Sequence, residues 1–300
     1  MMTITYLLGQ ISAPLQQMLN FGSTLQLTKI SLDRVDNIQS MPDENDSRKR
    51  PMTSSMYGDL RLDGASFKYA GDFPYVLHDV TCVMPKGQVT AIVGESGSGK
   101  STLLKMLIGF YYPQQGRLTV GGIPMDSLNT EDWRKRCGIV MQDGGLFSGT
   151  LLENIAMSDE HPSLERAQAA ARIACIDGFI AGLPMGYYTN VGNMGMELSG
   201  GQKQRVLIAR AVYKEPDYIF LDEATSFLDV NNEREIMENL NRFFVGRTVV
   251  IIAHRLSTVR NADNIVVLEK GRIIEQGNHA VLEARRGVYY HLIKEQLNLG

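Results

Sequence analysis

Val89-Thr90-Ala91-Ile92-Val93-Gly94-Glu95-Ser96-Gly97-Ser98-Gly99-Lys100-Ser101-Thr102-Leu103-Leu104 is the stretch on which the fold turns. Gly94 to Ser101 fit the phosphate-loop pattern G-x-x-x-x-G-K-[ST]. An apolar run, Val89 to Val93, leads in, and an apolar helical run, Thr102 to Phe110, leads out. That is the strand–loop–helix setting the pattern requires. Gly94, Gly97 and Gly99 let the backbone wrap close to phosphate oxygens with its N–H groups turned inward. The helix start that follows adds its positive dipole end. On this reading Lys100 reaches the β- and γ-phosphates, and the Ser101 hydroxyl ligates Mg²⁺. A glycine-rich turn that binds nothing is the alternative, and the loop by itself names no nucleotide.

Outward from this loop the chain changes character twice. Thr3 to Asn37 reads as one long helix, with Leu7, Ile11, Leu15, Met18, Leu25, Ile30, Val35 and Ile38 at near-helical spacing. Pro14 marks a kink or an early break. Ser40 to Ser55 is charged and punctuated by Pro42 and Pro51, which reads as a linker. Its Arg48-Lys49-Arg50 run suits either acidic lipid headgroups or plain solvation. From Gly58 onward strands and helices alternate. Strands are expected at Leu60–Tyr69, Val80–Met84, Gln88–Val93, Gly138–Met141, Tyr218–Leu221, Val249–Ile252 and Asn264–Leu268. Helices are expected at Leu164–Ala174, Ser199–Tyr213 and Asn231–Phe244, and a closing hairpin turns at Glu269-Lys270-Gly271. Such alternation implies an α/β fold, a parallel sheet with helices on its faces.

Composition excludes several function classes. A net charge of −3 over 300 residues argues against a nucleic-acid partner. Cys82, Cys137 and Cys175 lie far apart and show no metal spacing, so they read as reduced, mostly buried thiols of a cytosolic compartment. The start has no basic n-region, and no uninterrupted apolar stretch reaches membrane-spanning length. Three hundred residues allow one large or two modest domains.

Two further motifs carry chemistry. Tyr218-Ile219-Phe220-Leu221-Asp222-Glu223 is a buried strand ending in adjacent carboxylates. Asp222 is placed to hold Mg²⁺ through water and Glu223 to polarise an attacking water. The two acids would repel each other without a nearby divalent cation. Leu198-Ser199-Gly200-Gly201-Gln202 opens a helix and is a second anion-binding helix start, or a simple N-cap at Ser199. One triphosphate rarely needs two such loops unless two copies share the site.

These motifs together resemble the ATP-binding cassette (ABC) ATPases. The signature Leu198 to Gln202, the loop Gly94 to Ser101 and the strand Tyr218 to Glu223 form a highly specific combination, and the resemblance covers about 58–296. It implies a P-loop NTPase-type mixed sheet with an antiparallel β subdomain and a helical signature subdomain, preceded by the long N-terminal helix. It also implies two cassettes joined head to tail, with ATP between the phosphate loop of one and Ser199, Gly200, Gly201 and Gln202 of the other. Tyr69 resembles the aromatic that stacks on adenine, the alternative being a core aromatic. Thr102 joins Lys100 and Ser101 in the nucleotide-binding set. Gln142 resembles the glutamine that touches Mg²⁺ and the attacking water. His254 resembles the histidine that contacts the γ-phosphate and orients Glu223. Asp229 resembles the aspartate that communicates across the dimer. Phe227, where the family commonly has Ala, and Asn193, where exporters often have Glu, depart from the pattern.

Gly9 to Leu15 and Ile30 to Val35 resemble the last membrane helix and connecting segment of peptide and bacteriocin exporters, which often carry a cysteine-peptidase domain. The expected organisation is a helix remnant at 1–39, a charged linker at 40–57 and the nucleotide-binding domain at 58–300. The expected partners are a second, identical cassette, the membrane domain of the same full-length protein and an exported peptide, with no nucleic acid. The expected place is the cytoplasmic face of the inner membrane, the fragment itself being soluble. A lipid or drug exporter, an importer-type cassette, a soluble mechanical ATPase and a regulator without turnover are the alternatives. No sustained heptad run between Lys100 and Leu198 supports the mechanical class, and Glu223 with His254 argues against the regulator.

Overall fold

The computed structural model describes residues 2–40, 49–71, 73–157, 159–192, 195–224, 230–253 and 256–298. The chain divides into two units, residues 1–46 and 47–300. The first is a single helix, α1 (Met2–Gln39), which runs unbroken through Pro14. The expected early break is therefore absent. No charged residue occurs from Met2 to Thr28. At 100° per residue Leu15, Leu19, Phe21, Leu27, Ile30 and Val35 fall on every side of the helix rather than along one stripe. Among the described residues no helix is long and apolar enough to cross a membrane.

In the second unit the chain runs β1 (Leu60–Phe67), β2 (Leu77–Met84), β3 (Val89–Val93) and α2 (Lys100–Leu107). It continues through β4 (Gln115–Val120), β5 (Ile123–Pro124), α3 (Thr130–Lys135), β6 (Cys137–Val140) and β7 (Gly149–Thr150). A helical insertion follows, with α4 (Leu151–Ile155), α5 (Leu164–Ile173), α6 (Asp177–Ala181), β8 (Asn190–Val191) and α7 (Gly200–Tyr213). The end of the chain holds β9 (Tyr218–Asp222), α8 (Val230–Phe244), β10 (Thr248–Ile252), α9 (Leu256–Arg260), β11 (Asn264–Glu269), β12 (Arg272–Gly277), α10 (His279–Arg285) and α11 (Val288–Asn298).

Six strands form the central sheet in the order β12-β11-β3-β10-β9-β6, all parallel except β12. Its inner strands β3, β9, β10 and β11 are mostly apolar because both their faces are covered, while the edge strand β12 carries Arg272, Glu275 and Gln276. Side-chain alternation splits them between two cores. Ile219, Leu221, Val249 and Ile251 join the core that includes α5 and α7. Tyr218, Phe220, Val250 and Ile252 join the core under α2 and the separate antiparallel sheet β2-β1-β4-β5. Trp133 is fully buried in the second core, its indole N–H donating to the Leu107 carbonyl at 3.2 Å and its ring 4.7 Å from Tyr218. The mixed sheet, antiparallel subdomain and helical insertion match the expected architecture.

The segment ahead of β1 is docked on this unit. The Arg50 N–H donates to the Ser127 carbonyl (2.8 Å), and the Asn129 N–H donates to the Arg50 carbonyl (2.7 Å). Met52 is buried, and the Tyr57 hydroxyl donates to the Gly246 carbonyl at 3.1 Å. Residues 41–48 lie outside the described residues. Cys82 and Cys137 are buried free thiols, as expected, while Cys175 is half-buried.

Candidate active site

Sheet register builds the site. Ile252 of β10 pairs with Ile92 of β3 on one side and Asp222 of β9 on the other, and Leu221 pairs with Val140 of β6. The residues just beyond these strand ends, Gly94, Glu223 and Gln142, therefore share the carboxyl edge of the sheet, where open α/β sheets bind ligands.

The phosphate loop is held open at its first turn by Gly94. Its φ of 154° and the Leu268 carbonyl oxygen, 2.0 Å from where a Cβ would sit, exclude any side chain. Gly99, at φ 104°, caps α2 in the left-handed region. Lys100 is buried and its ammonium donates to the carbonyls of Gly94 (2.9 Å) and Glu95 (2.7 Å). Burial pulls the Lys100 pKa down, while Glu223 and Asp222 work against that shift, which puts both carboxylates within its electrostatic reach. Ser98 is buried and its hydroxyl has no hydrogen-bond partner among the described residues. An unpartnered buried hydroxyl in a glycine-rich loop that leads into a helix N-terminus fits an anionic oxygen.

Asp222 is buried at the tip of β9. Glu223 follows with a left-handed backbone, φ 50°, which is uncommon for a residue with a side chain. The Gln142 amide donates to Glu223 Oε2 at 3.2 Å, so these two expected catalytic residues meet. Ser101, Gln142 and Asp222 supply only oxygen ligands, the donor set that suits Mg²⁺.

Tyr69 stands at the rim, 52% exposed, which removes the core-aromatic alternative. Its hydroxyl hydrogen-bonds the Thr102 hydroxyl at 2.7 Å, and its ring meets Phe67 and Tyr111 edge-on at 5.2 and 5.4 Å. Tyr111 was not among the expected site residues, although Phe110-Tyr111-Tyr112 immediately after the loop helix is a visible aromatic run.

The signature segment is not joined to this cluster. Ser199 N-caps α7 in a capping box. The Gln202 N–H donates to its hydroxyl (3.3 Å), and the Gln202 side-chain oxygen accepts from the Ser199 N–H (2.9 Å). Ser199 and Gly200 are exposed, and among the described residues no hydrogen bond links 199–202 to the phosphate loop. His254, Asp229, Phe227 and Asn193 lie outside the described residues.

Comparison with known proteins accords with this geometry. Residues 77–226 match the family model described as "ABC transporter". The Toxin RTX-III translocation ATP-binding protein of Actinobacillus pleuropneumoniae is 42% identical over 300 residues, 99% of this chain and 42% of that protein. The Leukotoxin translocation ATP-binding protein LktB of Mannheimia glucosida is 42% identical over 292 residues, 97% of this chain and 41% of that protein. The chain thus spans about two fifths of these relatives. The solved structure of a bacterial Atm1-family ABC exporter with ATP bound superposes with a TM-score of 0.83 at 37% identity, covering 91% of this chain and 48% of that one. A chain that matches the family model from β2 through the strand-end carboxylates, on the fold of an ATP-bound exporter, belongs to the ABC transporter family as an ATPase domain.

Proposed function

We propose that this chain hydrolyses ATP within a head-to-tail pair of cassettes and so drives export of a polypeptide across a membrane. Lys100, the loop N–H groups and the Ser98 hydroxyl bind the phosphates, and Tyr69 stacks on the base. Glu223 accepts a proton from the attacking water, held in place by Gln142, with His254 at the γ-phosphate. Ser101, Gln142 and Asp222 would hold Mg²⁺, which when bound neutralises charge on the β- and γ-phosphates. Ser199 to Gln202 face the nucleotide of the mate, and Asp229 serves communication across the pair. The exposed N-terminus of α7, with no hydrogen bond to its own phosphate loop among the described residues, favours this shared arrangement over a site closed within one subunit.

The Gln142–Glu223 contact beside Lys100 carries the hydrolytic reading. Glu223→Gln is expected to cut phosphate release at least about a hundredfold with ATP binding retained. Release at the wild-type rate would remove Glu223 from its role.

The relatives' names favour a toxin protein as cargo over the short peptide or bacteriocin of the resemblance. On this reading α1 continues a membrane domain encoded upstream, and ATP-driven closure of the pair pulls on it. Reading the gene upstream of Met1 tests the choice. Membrane spans without a Cys–His peptidase pair support protein cargo, and a peptidase followed by spans supports leader-peptide cargo.

A further inference from the structure

Arg210 lies on α7 at the end remote from Ser199. Its guanidinium holds three neutral oxygens. Nε donates to the Asn154 carbonyl (2.7 Å), Nη1 to the Gly145 carbonyl (3.0 Å) and Nη2 to Asn154 Oδ1 (3.0 Å). The Phe147 ring centroid is 5.6 Å away. Burial pushes its pKa down to about 10, and it remains a cation at neutral pH. A partly buried cation held only by neutral acceptors is a costly way to support a fold, since apolar packing would serve as well.

Asn154 is 2% exposed and uses its whole amide. Nδ2 donates to the carbonyls of Phe147 (2.9 Å) and Thr150 (3.0 Å), and Oδ1 also accepts from the Phe147 N–H at 2.9 Å. Next to it, Gly144 sits so close to α7 that a Cβ would come 2.8 Å from Leu207 Cδ1. Residues 144–147, which begin two positions after Gln142, are thus clamped onto the helix that begins at the signature.

We propose that Arg210 is a positioning residue: through Asn154 and the Gly145 carbonyl it locks the loop carrying Gln142 to the signature helix. Gln142 of one cassette is thereby tied to the helix whose first turn, at Ser199, is offered to its mate. The inference rests on the hydrolytic reading above. Lysine cannot replace the arginine, because each of the three guanidinium nitrogens holds its own acceptor and a single ammonium cannot reach them in the same way.

The test uses the full 300-residue chain with Arg210→Lys and Asn154→Ala, each alone and combined with Gln142→Ala. Expected for each single variant are ATP affinity within about twofold of wild type, a roughly ten- to hundredfold lower kcat, and faster amide exchange confined to 143–148. In the Gln142→Ala background either variant should cost under about twofold more, because both act through the same residue. An unchanged kcat, or a loss in the Gln142→Ala background equal to that in wild type, would overturn the proposal. So would loss of ATP binding in both variants, since the cluster would then hold the fold and not the loop. If wild-type chain binds ATP without hydrolysing it, the hydrolytic reading fails separately. Exchange at 143–148 still decides whether the clamp exists.

Discussion

Glu223 follows β9 with φ near 50°, and its carboxylate accepts from the Gln142 amide. Non-glycine residues in that region are strained, and such strain is tolerated where surrounding contacts over-determine it. Gly94 shows the opposite case, a position no side chain can occupy. Gly94→Ala is expected to cost about 1–3 kcal/mol in urea unfolding. Lys100→Ala should weaken ATP binding in equilibrium titration, because the loop then loses the cation that its own carbonyls hold in place. The thiols give a separate check on burial. Desolvation raises the Cys82 pKa to about 12 and pushes Cys137 well up. Both stay protonated across the neutral range, so Ellman's reagent at pH 8 should reach them only as fast as the domain opens.

At the scale of elements, α7 joins two roles. Its first turn is a capping box, and its later turns are stitched to the rest of the insertion by Arg205, Arg210 and Tyr213. Ser199→Ala should cost about 1 kcal/mol of stability in chemical denaturation. Asn278→Ala, which removes the side-chain cap from α10, is the control. It should lose comparable stability, while hydrolysis suffers mainly in Ser199→Ala. Equal loss of hydrolysis in both would reduce Ser199 to a helix cap. The helix α1 belongs to the same scale. Uncharged from Met2 to Thr28, with apolar and polar residues mixed around it, it lacks the single apolar stripe of a surface helix.

For the whole molecule, the decisive quantity is association. Glu223→Gln with ATP should move the light-scattering mass from one chain to two, because bound nucleotide that is not consumed favours the paired state. A single-chain mass under those conditions would count against a shared site. Without ATP the pair lacks its bridging ligand and a monomer is expected.

Much of this was legible in the residue order. The runs Val89–Val93, Tyr218–Leu221 and Val249–Ile252 read as buried strands because fully covered strands are continuously apolar, and they are strands. The phosphate loop, the paired carboxylates and the capped signature helix were legible because each is a local pattern with its own backbone chemistry. The strand β4 was not read, since Gln115-Gly116-Arg117 opens it with polar residues at an exposed edge. Nor were α10 and α11. Short range offers no sign that Glu275 on β12 accepts the Val288 and Tyr289 N–H groups and starts the last helix. The docking of 49–57 depends on the carbonyls and side chains of residues 127–132 and 246–248, which linker composition cannot anticipate.

Sequence by itself determined the family, the phosphate loop and the acids at the end of β9, because those depend on residue identities at short, fixed spacing. Only the tertiary structure decided that Glu223 turns to Gln142, that Tyr69 bonds Thr102, and that Arg210 ties residues 144–147 to α7. Each of those contacts joins groups tens of residues apart, and such groups meet only once sheet register and helix packing have brought them together.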